Sequence, residues 1–266
     1  MTAGRRALHD DRQESVRGYR YSGQPEISQE EMTEMEKERA LVLSSGGVDS
    51  TTALGLAVRK YGADHVITLS VYYGQKHDRE LLAAEAVADY YGVEHLTLDL
   101  QKIFEYSDCS LLKQSEKEIP ESSYAEQIRI TGGEKPVETY VPFRNGLFLS
   151  SAASIALSRG CSVIYYGIHA DDSAGSAYPD CSPVFNRAMG DAVREGSGGQ
   201  LRIEAPFVSL SKAEVVRTGL DLNVPYELTW SCYEGGEHPC GRCATCIDRA
   251  AAFKANGAED PASGGK

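Results

Sequence analysis

The chain is 266 residues long, with 39 acidic against 27 basic residues and a formal charge of −12. That balance excludes a broad basic face for nucleic-acid backbones. No run approaches the roughly 20 apolar residues that span a bilayer, so no membrane segment is expected.

Residues 1–39 carry mixed charge and few apolar side chains, which predicts an extension rather than packed structure. Met1–Arg20 lacks the pattern of a secretory signal, so a cytoplasmic protein is expected. Within the extension, Ser28–Arg39 reads as an exposed helix with Ser28 as cap and Glu31 completing a capping box. From Ala40 the pattern changes. The apolar run Ala40–Ser44 predicts a buried strand, and Thr51–Val58 predicts a helix. Further on, strands are expected at Asp64–Tyr72, Val93–Leu98, Ser162–Tyr166 and Leu201–Ala205. Helices are expected at Asp78–Tyr91, Asn145–Ser158, Pro183–Glu195 and Lys212–Leu222, the last capped by Ser211 with Glu214 three residues on. Alternating strands and helices imply an α/β fold, a doubly wound and mainly parallel sheet with ligands at the C-terminal strand ends. Glu105–Tyr140 has no clear period and contains Gly132-Gly133, which predicts an irregular flap over the site. The expected organisation is an extension (1–39), a nucleotide-binding domain (40–228), a metal segment (229–254) and a tail (255–266).

Ser45-Gly46-Gly47-Val48-Asp49-Ser50 falls between the first strand and the first helix. Glycine lets backbone amides approach a phosphate, and the helix start supplies partial positive charge. Ser45, Ser50 and Thr51 add hydroxyl donors. Asp49 repels a bare phosphate, so it suits either helix capping or a magnesium ion. No Gly-Lys-Ser/Thr follows, and the glycines are adjacent, which excludes the kinase-type P-loop and the dinucleotide fingerprint. The hexapeptide resembles the pyrophosphate loop of the ATP pyrophosphatase superfamily, whose members split ATP between the α and β phosphates. On that resemblance the ATP-binding set is Ser44, Ser45, Gly46, Gly47, Val48, Asp49, Ser50, Thr51, Thr52, Ala53 and Leu54.

Cys240, Cys243 and Cys246 stand at three-residue intervals with Cys232 eight positions upstream. Four thiolates without an open coordination position suit structural zinc; an iron–sulfur cluster is the alternative, and a redox pair would leave two cysteines without a task. Elsewhere, Arg144 before a helix suits a phosphate or carboxylate, as does Lys212 where the helix dipole is already positive. His169, Asp171, Asp172, Tyr178 and Asp180 concentrate acid and imidazole after a strand. They suit magnesium or the amino groups of a heterocycle, or alternatively helix capping in a solvated acidic loop. Gln75, His77 and Arg79 follow another strand and are candidates for the same cleft.

Six ordered blocks resemble one family, 7-cyano-7-deazaguanine synthase of the queuosine precursor pathway. They are SSGGVDSTTAL from Ser44, YYGQKHDREL from Tyr72, VPFRNGLFLS from Val141, YYGIHADDSAGSAYPDCSP from Tyr165, APFVSLSKAEVVRTGL from Ala205 and VPYELTWSCYEGGEHPCGRCATCIDR from Val224. The resemblance covers roughly residues 40–250 and leaves the extension unexplained. It implies ATP with magnesium, 7-carboxy-7-deazaguanine and ammonia as substrates, a structural zinc and a homodimer. It further implies that Asp49, Arg144 and Lys212 serve catalysis, with Gln75, His77, Asn145 and Tyr178 at the substrate and His169, Asp171, Asp172 and Asp180 at the deazaguanine or a second metal. Two other readings stand beside it. One is a relative that delivers the same adenylate to another amine, such as a protein N-terminus. The other is a non-enzymatic zinc ribbon that binds RNA or protein.

Overall fold

The structure, a computed structural model, describes residues 38–263. The chain enters β1 (Ala40–Leu43), passes the glycine loop into α1 (Val48–Tyr61), and continues through β2 (Val66–Tyr72), α2 (Arg79–Tyr91) and β3 (Glu94–Asp99). A single turn, α3 (Gln101–Phe104), is followed by α4 (Tyr124–Thr131), α5 (Arg144–Ser158) and β4 (Val163–Tyr165). Then come α6 (Pro183–Gly196), β5 (Arg202–Glu204), α7 (Lys212–Asp221) and α8 (Ala244–Ala255). Each expected strand and helix of the sheet region is present within a few residues of its expected ends. The α7 cap is the expected one: Ser211 accepts from the Glu214 amide while the Glu214 carboxylate accepts from the Ser211 amide.

All strand pairings are parallel, in the order β3-β2-β1-β4-β5. Leu41 stands opposite Ile67 and Ile164. Successive side chains of a strand point to opposite faces, so apolar residues in unbroken runs bury both. Leu41, Ile67 and Ile164 join Leu149 and Ala152 of α5 and Val193 of α6 in one core. Ala40, Val42 and Val163 join Ala53 and Leu54 of α1, Val87 of α2 and Val215 of α7 in the other. The sheet is doubly wound. Strand order reverses between β1 and β4, which makes the crevice beyond their C-terminal ends the place where such sheets hold ligands.

Three stretches depart from expectation. The 105–140 region contains α4, capped by Ser123, whose hydroxyl accepts from the Glu126 amide. Its earlier part is anchored: Leu111, Leu112 and Ile119 pack with Tyr73 and Phe104 against Cys232, Cys243 and Cys246. The Lys76 amide donates to Leu111 O at 3.0 Å, and the Lys113 amide to Gly74 O at 2.8 Å. Second, α8 begins inside the cysteine segment, and its Ala252 and Phe253 pack with Val48, Val216 and Tyr226. Third, the helix expected over 28–39 lies outside the described residues except for Glu38 and Arg39. Those two are in no helix. Glu38 instead accepts from both terminal nitrogens of Arg202, at 2.6 and 2.9 Å, and Arg39 donates to Arg159 O at 2.9 Å.

Candidate active site

Gly46 has φ +76°, and a Cβ there would lie 2.4 Å from Glu80 O and 2.6 Å from Ala84 N. Only glycine lets α2 close over the loop this tightly. Gly47 is the N-cap of α1 and has no side-chain cap, so Asp49, already inside the helix, does not cap it. The loop is held by its own hydroxyls: the Ser45 amide donates to Ser50 Oγ at 3.2 Å, and Ser50 Oγ donates to Gly47 O at 3.2 Å. The leading amides of α1 have no partner within the helix, an arrangement that suits an anion. Ser44 Oγ, Thr51 Oγ1 and Asp49 Oδ1 are buried and have no hydrogen-bond partner among the described residues. Thr52 is otherwise engaged, with Val48 O at 2.7 Å and Tyr226 OH at 2.8 Å, and Ala53 and Leu54 belong to the apolar core.

The β4 loop crosses the first turn of α1 at Gly167, where a Cβ would lie 2.7 Å from the Asp49 carbonyl carbon. This contact carries His169 and Asp172 to Asp49. His169 Nε2 is 3.8 Å from Asp49 Oδ2 and 3.4 Å from Asp172 Oδ1. Lys212 Nζ hydrogen-bonds to Asp49 Oδ2, and the Lys212 amide donates to Asp171 Oδ2 at 2.8 Å. Burial opposes ionisation of Asp49, but the Lys212 ammonium and His169 hold its carboxyl below the ordinary value. Burial pushes the Asp172 carboxyl up, with His169 opposing the shift. Asp49, Asp172, His169 and Lys212 form one cluster of ionisable side chains at the start of α1.

Arg144 is the first residue of α5, behind Phe143 in the left-handed region at φ +57°. Its guanidinium lies over the rings of Tyr73 and Phe148, at 5.4 and 5.9 Å from their centroids. Asp180 accepts the Asn145 amide at 2.9 Å, which ties the start of α5 to the β4 loop; the Asn145 side-chain nitrogen reaches Asp180 O and Cys181 Sγ, each at 3.2 Å. Gln75 is 4 % exposed and accepts the Tyr73 amide at 2.9 Å. His77 stands edge-on to Trp230 with ring centroids 6.5 Å apart, and Arg79 lies over the same indole.

A cavity of about 670 Å³ opens along these loops. Asp49, Arg144, Asn145, His169 and Lys212 border it, with Asp171, Asp172, Tyr178 and Gln75. Ser44, Ser45, Gly47, Val48 and Ser50 supply the wall beside α1. Gly46, Thr51, Thr52, Ala53, Leu54, His77 and Asp180 do not border it. The cavity also draws in residues that the sequence reading left aside: Tyr73, Glu80, Tyr124, Trp230, Tyr233 and Asp248. Tyr124 OH hydrogen-bonds to Tyr233 OH, Tyr178 OH donates to Tyr124 OH at 3.1 Å, and Thr139 Oγ1 lies 2.6 Å from Tyr178 OH. One hydroxyl chain therefore joins α4, the β4 loop and the cysteine segment. Burial pushes the Glu80 carboxyl up to about 7, against the pull of Arg144. Glu80 sits in the quoted YYGQKHDREL block, but as an acidic residue in the first turn of a helix it carries no distinguishing signal of its own.

Cys232, Cys240, Cys243 and Cys246 direct their sulfurs to within 4.8 Å of one another, close enough to hold a metal ion. The Glu234 and Cys240 amides point at Cys232 Sγ (3.4 and 3.3 Å), and the Cys243 amide at Cys240 Sγ (3.3 Å). Such N–H donors stabilise thiolates. Arg249 of α8, 4 % exposed, fixes the segment through Asp260 (2.8 and 2.9 Å), Thr229 (2.9 Å) and Ser231 (3.3 Å).

The model of the queuosine biosynthesis protein QueC family matches residues 39–257. A 7-cyano-7-deazaguanine synthase from Archaeoglobus fulgidus is 42 % identical over 224 residues, covering 84 % of this chain and 89 % of the relative. One from Oceanobacillus iheyensis is 43 % identical over 230 residues, covering 85 % and 98 %. Among solved structures, the NMN synthetase of Francisella tularensis matches at TM-score 0.45 and 18 % identity, over 84 % of this chain and 78 % of that one. With one family model spanning the whole sheet and the cysteine segment, and relatives this similar over nearly their full lengths, the chain belongs to the QueC family of queuosine biosynthesis proteins.

Proposed function

We propose that the protein converts 7-carboxy-7-deazaguanine and ammonia to 7-cyano-7-deazaguanine, splitting ATP to AMP and pyrophosphate in each of two activation steps. The observation that carries this reading is the convergence on one cavity of an anion-binding helix start, the Lys212 ammonium and the Arg144 guanidinium. A carboxylate is a poor electrophile with a poor leaving group, so it must first be activated. Its oxygen attacks the α-phosphate, pyrophosphate departs, and an acyl adenylate remains. Ammonia adds to the carbonyl carbon and AMP leaves, giving the amide. The amide oxygen then attacks a second α-phosphate, and loss of AMP yields the nitrile. Each AMP carries away one oxygen of the original carboxylate.

The chain's work in this scheme is positioning and charge compensation. The helix start and the Ser44 hydroxyl, which borders the cavity, receive the leaving pyrophosphate. Lys212 and Arg144 offset charge that develops at the α-phosphate. Asp49 presents its unpartnered Oδ1 to the magnesium of the ATP complex while Oδ2 holds Lys212 in place. His169, Asp171, Asp172, Asn145, Tyr178 and Gln75 face the deazaguanine, with His77 and Asp180 supporting them. The metal is zinc: tetrahedral bonds of about 2.3 Å give sulfur–sulfur edges of about 3.8 Å, which agrees with the drawn-together thiols better than a multi-iron cluster does. Its role is structural, and the enzyme acts as a cytoplasmic homodimer that takes ammonia from solution.

The test is mass spectrometry of a reaction containing the protein, 7-carboxy-7-deazaguanine, ATP, magnesium and ammonium. Nitrile with AMP and pyrophosphate is the expected result. Deazaguanine attached to protein would transfer the assignment to the alternative ligase. Absence of ATP cleavage by folded, zinc-replete protein would overturn the reading and favour a binding module.

A further inference from the structure

Resting on that reading, we propose that Glu80 is the general base that removes N–H protons when ammonia enters and when the amide becomes the nitrile. The chemistry demands such a group. Ammonia gains a C–N bond as the acyl C–O bond to AMP breaks, and its nitrogen must shed a proton. The activated amide then loses both remaining N–H protons as its C–O bond breaks and AMP departs. Adenylation itself needs no base, since the attacking carboxylate is already ionised. A proton acceptor is thus required only for the later steps, at the carbon next to the α-phosphate.

Two carboxyls on the cavity wall make no hydrogen bond or ion pair to a described residue, Glu80 and Asp248; Asp248 stands in the field of Lys212, Asp171, His169 and Asp172, whereas Arg144 alone acts on Glu80. Glu80 stands in the first turn of α2, whose backbone is pressed onto the loop after β1: its carbonyl oxygen occupies the space that a Cβ on Gly46 would take. Its half-buried side chain borders the same cavity as Ser45, Gly47 and Arg144. No hydrogen bond or ion pair to a described residue commits its carboxylate elsewhere. By contrast, Asp49 is held by Lys212, Asp171 receives the Lys212 amide, and Asp172 receives the His169 amide at 3.1 Å. The charged group that acts on Glu80 is Arg144, from α5; Glu80 in turn acts on Tyr73, just past β2. Burial raises its proton affinity to about 7, while Arg144 limits the rise, so at neutral pH it can both accept a proton and return it to solvent. The Tyr73 hydroxyl is pushed far above its ordinary value by burial first and by Glu80 next, and stays a neutral donor.

Glu80→Gln keeps the shape and removes the base. Two rates are compared: pyrophosphate exchange into ATP with 7-carboxy-7-deazaguanine and no ammonia, and formation of amide and nitrile with ammonium present. The variant should lower the second rate by about 100-fold more than the first. With the amide as substrate, so that protonation of ammonia plays no part, wild-type nitrile formation should fall as pH drops through about 7, where Glu80 becomes protonated, and the variant should lose that limb. Glu80→Asp should restore part of the rate. Equal losses in both rates would mean that Glu80 binds substrate, and a wild-type nitrile rate in Glu80→Gln would mean that it does nothing; either overturns the proposal. Failure of the unaltered protein to exchange pyrophosphate would instead overturn the proposed function.

Discussion

Asp49 carries two obligations, because one carboxylate oxygen holds the Lys212 ammonium and the other is buried without a partner beside the helix start. Asp49→Asn keeps the volume but removes the charge that positions Lys212. ATP cleavage should fall by about 100-fold or more, measured as AMP release, with the unfolding temperature changed little. Normal turnover would remove Asp49 from the phosphate site. Gly46 makes a different kind of demand. Gly46→Ala must place a methyl group 2.4 Å from Glu80 O at φ +76°, so backbone and neighbour both resist. The expected cost is about 3 kcal/mol or more, a fall in Tm of roughly 6–12 °C in calorimetry. Both residues stand in a motif that was readable from the chain alone. Glu80 was not singled out there, since a glutamate in the first turn of a helix is ordinary until the cavity around it is known.

At the level of elements, the recovered strands and helices are those whose periods are strong and local. The apolar run at Ala40–Leu43 marked β1 as a buried strand, and Ser211 with Glu214 marked the start of α7. What escaped was α4, whose Ser123 and Glu126 form the same cap signal inside a glycine-containing stretch, and α8, hidden by the cysteines at its start. At the sheet edge, Glu38 holds Arg202 of β5 with both oxygens, and Arg202 also reaches Glu204 at 3.2 Å. The Arg202 hydrogen bonds, against some burial, hold the Glu38 carboxyl below its ordinary 4.5. Its folded value is thus depressed relative to the unfolded chain. The pair's contribution is present above pH 4.5 and is lost as pH falls through the folded value below it. Both side chains are partly exposed, so Glu38→Gln should cost about 1 kcal/mol or less at neutral pH, and nothing in strong acid. Chemical denaturation at two pH values measures the difference.

For the molecule as a whole, the cysteine segment is both a clamp and a wall. Trp230, Tyr233 and Thr245 border the cavity within a few residues of the thiols, and Tyr233 continues the hydroxyl chain into α4. Cys243→Ser should therefore lower zinc content, solubility and ATP turnover together, by elemental analysis and AMP release. A stable, zinc-replete variant would remove Cys243 from the ligand set. Chain-local information was enough for the alternation of strand and helix, the anion-binding turn and the thiol set, because periods of 2 and 3.6 residues, glycine spacing and cysteine spacing are written in neighbouring positions. It could not say that α2, α4, α8 and the cysteine segment meet at one cavity, nor that Glu80 borders it while His77, edge-on to Trp230, does not. Those facts follow from the order β3-β2-β1-β4-β5, which brings the ends of β1 and β4 side by side although more than a hundred residues separate them. Which side chains then face one another depends on how helices and loops pack over that junction, and no local pattern encodes such distant contacts.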